Sequence, residues 1–248
     1  MEIKKTRIYG DIVEINKKEV KSFWNKRAQK YTDDNPYNAV KCNDNNPEYV
    51  HTLEEYERNY IIPQIKIDSN SKVLDIGCGI GRLADVIVPQ SKYYLGTDFA
   101  EELLKIAKNR INPSYNFDFE VCDFINISKN ECVQKNKLFN KVILAGVTMY
   151  INDQELKTCL ENLLEIIDKN ATIYISSPIA IDERLTLEGF YSENLNSEYN
   201  VIYRTVNEYL NTFKVLIEHG FKVTKNEHFL NDMKQYPETE RHYFILER

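Results

Sequence analysis

Residues 73–81 read VLDIGCGIG. A short apolar run ends in three alternating glycines, Gly77, Gly79 and Gly81, and a new apolar pattern opens at Leu83. Glycine lacks the Cβ that bars sharp turns and close ligand approach. Between a strand and a helix, such a loop is a nucleotide cradle. The spacing then chooses among cradles. A dinucleotide fingerprint, G-x-G-x-x-G/A, would place its third small residue at Arg82, but the third glycine is Gly81, one position early. No G-x-x-x-x-G-K-[ST] occurs, so the loop is not a P-loop. Asp98 follows Gly77 by 21 residues, where a carboxylate can accept hydrogen bonds from ribose hydroxyls. With Glu101 it also has the spacing of a helix-capping box.

From residue 72 onward, strand and helix patterns alternate. Strands are expected at Lys72–Ile76, Tyr93–Thr97, Phe117–Val121, Lys141–Ala145 and Thr172–Ser176, then at Phe221–Glu227 and His242–Glu247. Apolar residues at helical spacing predict helices around Leu83–Ile87, Leu103–Ala107, Leu156–Ile167 and Val206–Ile217, the last ended by Gly220. Repeated βα units imply an α/β fold: a mainly parallel sheet with helices on both faces and ligands at the carboxyl ends of its strands. Two segments fall outside the alternation. Residues 1–60, with an amphipathic stripe at Val20, Phe23, Trp24, Ala28 and Tyr31, read as an N-terminal helical cover. Residues 178–204 read as a cover inserted into a core of residues 61–248.

Composition narrows the partners. The 248 residues include 32 basic and 38 acidic ones, a net charge of −6, so no nucleic acid is expected as a partner. Five cysteines at irregular spacings form no C-x-x-C, which argues against disulfides or zinc, and no metal-ligand spacing is visible. The opening MEIKKTRIYGDIVEI has no continuous apolar core, and no run reaches the roughly 18 apolar residues of a membrane span. A cytoplasmic setting is the expectation. The oligomeric state stays open.

Four segments in order now carry a resemblance: VLDIGCGIG (73–81), YLGTDFAEELLKIAK (94–108), FEVCDF (119–124) and FNKVILAGVTMYIND (139–153). Together they resemble the class I S-adenosylmethionine-dependent methyltransferases. The resemblance implies a Rossmann-like seven-stranded sheet whose last strand is antiparallel. It implies that Gly77, Cys78 and Gly79 line the methionine part of S-adenosylmethionine, with Asp75 near its amino-acid end. Asp98 and Phe99 would face the ribose, and Asp123 and Phe124 the adenine. Ala145 would lie beside the transferring methyl. FWNKRAQKY (23–31) is similar to the N-terminal helix of small-molecule members, where a tyrosine at the place of Tyr31 touches the cofactor. The product would be S-adenosylhomocysteine.

The acceptor is less legible. Many small-molecule members carry histidine in the loop after the fourth strand, where this chain has Tyr150. Candidate bases are Tyr150, His51, His228 and Asp182, while His219 and His242 read as structural. Arg184 and Arg204, with Tyr203, either grip an anionic acceptor or merely pack the cover. Segments NPYNAVKCNDNNPE and RAQKY resemble methyltransferases of bacterial surface-polysaccharide (capsule) clusters. That resemblance implies O-methylation of a sugar, nucleotide-linked or phosphoramidate-type small molecule. The competing readings are an N-methyltransferase or one acting on RNA or protein, a non-catalytic methyltransferase-like subunit, and an NAD-linked oxidoreductase.

Overall fold

The computed structural model describes residues 6–42, 44, 46–230 and 236–248. The chain opens with β1 (Arg7–Tyr9), α1 (Lys17–Arg27) and α2 (Pro47–Tyr56). There follow β2 (Lys72–Ile76), α3 (Ala84–Ile87), β3 (Tyr93–Asp98), α4 (Glu101–Arg110), β4 (Phe117–Val121), α5 (Glu131–Asn136), β5 (Phe139–Ala145) and α6 (Asp153–Leu163). It ends with β6 (Ile167–Ala180), β7 (Leu185–Ser192), β8 (Ser197–Tyr203), α7 (Val206–Thr212), α8 (Lys214–Ile217), β9 (Lys222–His228) and β10 (Thr239–Glu247). No helix among the described residues is long and apolar enough to cross a membrane.

Seven strands form the main sheet in the order β4-β3-β2-β5-β6-β10-β9. The first five pair in parallel, and β10 runs antiparallel to both β6 and β9. Alternation along the inner strands explains why they read as continuous apolar runs. Leu74, Ile76, Val142 and Leu144 enter the core on one face, where α5, α6 and α7 lie. Val73, Tyr94 and Ile143 enter the core on the other, against α2, α3 and α4. Each fully buried aliphatic side chain of this kind contributes about 1.5–3 kcal/mol. Strand order reverses between β2 and β5, and ligands in such sheets sit at that switch point.

Local details differ from the expectation where packing overrides periodicity. Pro89 leaves α3 a single turn that continues as a 3-10 turn, Val88–Gln90. Ile167 opens β6 instead of closing α6. The stripe Val206–Ile217 is interrupted at Phe213, whose buried ring packs 5.1 Å from Phe244.

The covers differ most. Residues 185–203 form an antiparallel hairpin, β7–β8, and β1 adds to it, so the N-terminal cover is not helical throughout. Phe23 of α1 packs with Leu187, Tyr199 and Val201 of the hairpin, which joins the two expected covers into one layer. Nor does the chain break at residue 60. A π-helical turn, Glu57–Ile61, links α2 to a 3-10 turn, Ile62–Ile65, and Leu53, Ile61 and Ile65 are core residues of the sheet.

Candidate active site

The glycine loop leaves the carboxyl end of β2 at the switch point. Gly77 and Gly79 have φ of +70° and +57°, a region that side chains other than glycine's rarely adopt. A Cβ at Gly77 would collide with Val147 Cγ2, and one at Gly79 would come within 2.8 Å of Val40 Cγ1. The N–H groups of Gly77 and Cys78 both donate to the Thr97 carbonyl, at 2.7 and 3.0 Å, which staples the loop to β3. Asp98, at the end of β3, accepts the N–H of Gly79 at 2.9 Å and that of Ala100 at 2.8 Å. Burial pushes its carboxyl up to about 6, against the lowering effect of those two donors.

Gly77, Cys78, Gly79 and Ala145 line one cavity of about 650 Å³. Asp98, Phe99, Asp123 and Phe124 line it as well. The sequence pattern therefore brings eight of its ten cofactor candidates to a single space, within the usual range for a ligand site. Two do not reach it. Asp75 alternates to the opposite side of β2, where it accepts the Tyr94 hydroxyl at 2.7 Å, and burial pushes its carboxyl up to about 7. Tyr31 lies past the end of α1, beyond the 3-10 turn Ala28–Lys30. Its ring packs by Ile80 and Leu103, and its hydroxyl donates to Asp33. Trp24, on α1 itself, takes the place at the cavity wall.

One feature of this wall escaped the motif reading. Lys41, Glu57 and Arg82 line the cavity beside the glycine loop. Arg82 Nη1 lies 2.6 Å from Glu57 and 3.1 Å from Glu54, and Lys41 Nζ is 3.1–3.2 Å from both carboxylates. Tyr174 also donates to Glu57 at 2.7 Å. Burial alone would raise the Glu57 carboxyl, but Arg82 and Lys41 hold it well below the usual range. The signal was present in the pattern: Tyr49, Val50, Leu53, Glu54, Glu57 and Ile61 follow helical spacing, which puts two carboxylates on an apolar face.

The donor set fits a nucleoside with an amino-acid tail. The Asp98 carboxylate at the end of β3, apolar walls at Phe99 and Phe124, and a buried cation–carboxylate pair share one space. The family model described as "Methyltransferase domain" matches residues 67–235. The chain belongs to that methyltransferase family. A curated phosphoethanolamine N-methyltransferase 1 of Caenorhabditis elegans is 26% identical over 164 residues, 66% of this chain and 32% of that protein. Among solved structures, a Haemonchus contortus phosphoethanolamine N-methyltransferase 1 in complex with phosphoethanolamine and S-adenosylhomocysteine superposes with a TM-score of 0.72. It is 18% identical and covers 93% of this chain and 48% of its own. Magnesium protoporphyrin IX methyltransferase from Synechocystis PCC 6803, with bound S-adenosylmethionine, gives 0.63 at 13% identity, covering 96% and 99%. The chain thus spans a third to a half of its phosphoethanolamine-methylating relatives. The first of these structures holds S-adenosylhomocysteine and the second S-adenosylmethionine, and the chain shares their fold.

The far end of the cavity is walled by the cover. Tyr150 lies in the loop after β5, its hydroxyl 2.6 Å from that of Tyr199 on β8, with Trp24 edge-on at 5.2 Å. Burial pushes both phenols well above their ordinary value, so neither is a base at neutral pH. Tyr203 and Arg241 line the same end. Among the described residues, no carboxylate pairs with Arg241, and its charge acts on Lys41, Cys42 and Tyr203.

Other candidates stand elsewhere. His51 is a surface residue of α2, 3.3 Å from Glu55 one turn on, with its side chain 65% exposed. Asp182 is exposed in the bend after β6. His228 pairs with Glu240 at 3.1 Å, outside the cavity wall. Arg184 and Arg204 are buried but face away from the cavity, because Asp153 at the start of α6 holds both, at 3.0 and 2.6 Å. Arg204 also donates to the carbonyls of Thr148 and Ile151, so it braces the loop that carries Tyr150.

Proposed function

We propose that this methyltransferase passes the methyl group of S-adenosylmethionine to a small acceptor bearing an anionic phosphate- or carboxylate-like group. The observation that carries the reading is Arg241: a half-buried cation at the covered end of the cavity, with no carboxylate partner among the described residues. A guanidinium so placed matches a planar or tetrahedral oxyanion.

The cofactor supplies an activated methyl on a sulfonium, and the protein supplies placement and electrostatics. Asp98, its carboxylate oriented by two backbone donors, takes the ribose hydroxyls. Asp123 and Phe124 hold the adenine edge and face. Lys41 and Glu57 meet the carboxylate and ammonium of the methionine tail, cation to anion and anion to cation. Ala145 and Tyr150 border the transfer point, with the Tyr150–Tyr199 hydroxyl pair as its polar rim. Holding acceptor and methyl donor in line converts a bimolecular encounter into a positioned one, which removes several kcal/mol from the barrier.

Two acceptor atoms suit this space. An anionic oxygen needs no base, and the phenols at the transfer point supply none. A phosphorylated amine is favoured by the worm relative named above, an N-methyltransferase. The surface-polysaccharide setting gains no support from the relatives named here.

The test is a panel of phosphoethanolamine, alkyl phosphates, phosphoramidates and carboxylates with methyl-labelled cofactor, read by mass spectrometry. Turnover of an anionic member supports the reading, and the mass fragments name the atom. Arg241→Met should then raise KM about 10–100-fold, the loss of one charge-assisted contact of about 1.5–3 kcal/mol. Methylation confined to neutral acceptors, or to RNA or protein, refutes it.

A further inference from the structure

The end of the main sheet carries a second cluster that the transfer chemistry does not use. His242 on β10 lies directly opposite His228 on β9, and Glu240 is two residues before His242 on the same strand. A strand's side chains alternate faces, so this register puts all three on one face of the sheet. One ligand atom from each lies within 4.8 Å of the other two. The imidazoles stand at 79° with ring centroids 5.2 Å apart, and His228 Nδ1 is 3.1 Å from Glu240 Oε1.

A second observation points to a ligand. His242 is 3% exposed, and its Nδ1 is buried with no hydrogen-bond partner among the described residues. Its Nε2 lies 2.6 Å from Asn226 Oδ1, two residues from His228 along β9. An amide oxygen only accepts, so Nε2 carries the proton and the lone pair is on Nδ1. A ring nitrogen donating to a fixed oxygen while the other is left bare is how proteins orient a histidine ligand. A buried bare nitrogen with no partner otherwise gives up its hydration with nothing in return.

We propose that His228, Glu240 and His242 form a binding site for a first-row divalent transition metal of the zinc class, at the rim of the acceptor end of the cavity. Two imidazoles and one carboxylate suit zinc and its neighbours over magnesium or calcium, which prefer oxygen ligands. Ligand atoms on a tetrahedral zinc stand about 3.3 Å apart at the usual bond lengths, close to the His228–Glu240 separation. Three protein ligands leave at least one position open. Glu240 and His242 line the cavity, so that position is within reach of an acceptor oxyanion. His228, half exposed on β9, gives the metal a way in. No sequence spacing announces this set, because the residues meet only through strand pairing.

The site is read by metal binding and is independent of the acceptor reading. Untagged protein, stripped with EDTA and desalted, is titrated with Co²⁺ and Zn²⁺ by calorimetry and visible absorption. The expected result is one equivalent per chain, with a cobalt–imidazole absorption band and a raised Tm in zinc. His228→Ala and Glu240→Gln, both near the surface, should weaken binding at least about tenfold, and Asn226→Ala about tenfold through the orientation of His242. His51→Ala, at the other histidine–glutamate pair, should change nothing. Absence of stoichiometric binding by the wild-type chain, or equal binding by folded His228→Ala and Glu240→Gln variants, overturns the site.

Discussion

Asp98→Asn is the substitution that separates a cofactor carboxylate from a helix cap. In the wild-type chain both Asp98 oxygens accept a backbone N–H, from Gly79 and Ala100. The amide is isosteric but has one acceptor oxygen, so one of those N–H groups faces an NH₂. Hydrogen bonds to a charged acceptor are worth about 1.5–3 kcal/mol each. On the proposed ribose role, losing this charge should cost about 2–4 kcal/mol of cofactor binding, a factor of about 30–1,000 in Kd. Folding should survive, because the lost contacts are offset by no longer burying a charge whose carboxyl is already pushed up to about 6. Calorimetry with S-adenosylhomocysteine at pH 8 reads the affinity, and thermal unfolding with and without it reads the fold. The pH profile adds a second check. Ribose hydroxyls donate to the ionised form, so wild-type affinity should rise as pH climbs through about 6 and then level off. The Asp98→Asn profile should lack that step. A folded variant that binds within about threefold of wild type would refute the ribose role and leave Asp98 as a cap and loop anchor.

Other substitutions probe the surroundings. Gly77→Ala should destabilise the chain by about 1–3 kcal/mol and abolish S-adenosylhomocysteine binding, since its φ is +70° and its Cβ would strike Val147. Unfolding in denaturant with ligand titration checks both. Asp75 is held at about 7 against an ordinary 3.8, so the folded state keeps its proton more tightly than the unfolded chain, and this group's contribution to stability falls as pH rises from about 4 to 7. Asp75→Asn keeps an acceptor for Tyr94 and should be more stable than wild type at pH 8, by up to about 4 kcal/mol, with the gap closing toward pH 4. A less stable variant at pH 8 contradicts that sign. Arg204→Met should cost about 3 kcal/mol in unfolding experiments, since it strips the Thr148 and Ile151 carbonyls of this donor and leaves Asp153 with Arg184 alone. Full stability with a raised acceptor KM would return Arg204 to the acceptor site.

The parts of the fold visible in the sequence are those fixed by local rules. The bounds of β2 and β4 follow from apolar runs between turn residues, and the Gly77–Gly79 loop from a backbone that only glycine adopts readily. The position of Asp98 follows because one βα unit has a nearly fixed length. What the sequence hid depends on long-range pairing. Leu185–Ser192 and Ser197–Tyr203 flank a turn, residues 193–196, with two asparagines, a hairpin signal, but their partner β1 lies about 180 residues earlier in the chain. Arg184 and Arg204 have the composition of an anion grip, yet Asp153 on α6, unseen until the chain folds, claims both. Arg241, two residues into the last strand, had no motif around it; the cavity alone singles it out.

The destination of a labelled methyl tests the anionic small-molecule acceptor most directly. Purified protein is incubated with methyl-labelled S-adenosylmethionine and a size-fractionated extract of its own cells. Label in the small-molecule fraction, on a product that an anion exchanger retains before or after transfer, is the predicted result. Label confined to protein or RNA, with the small-molecule fraction blank, would contradict it.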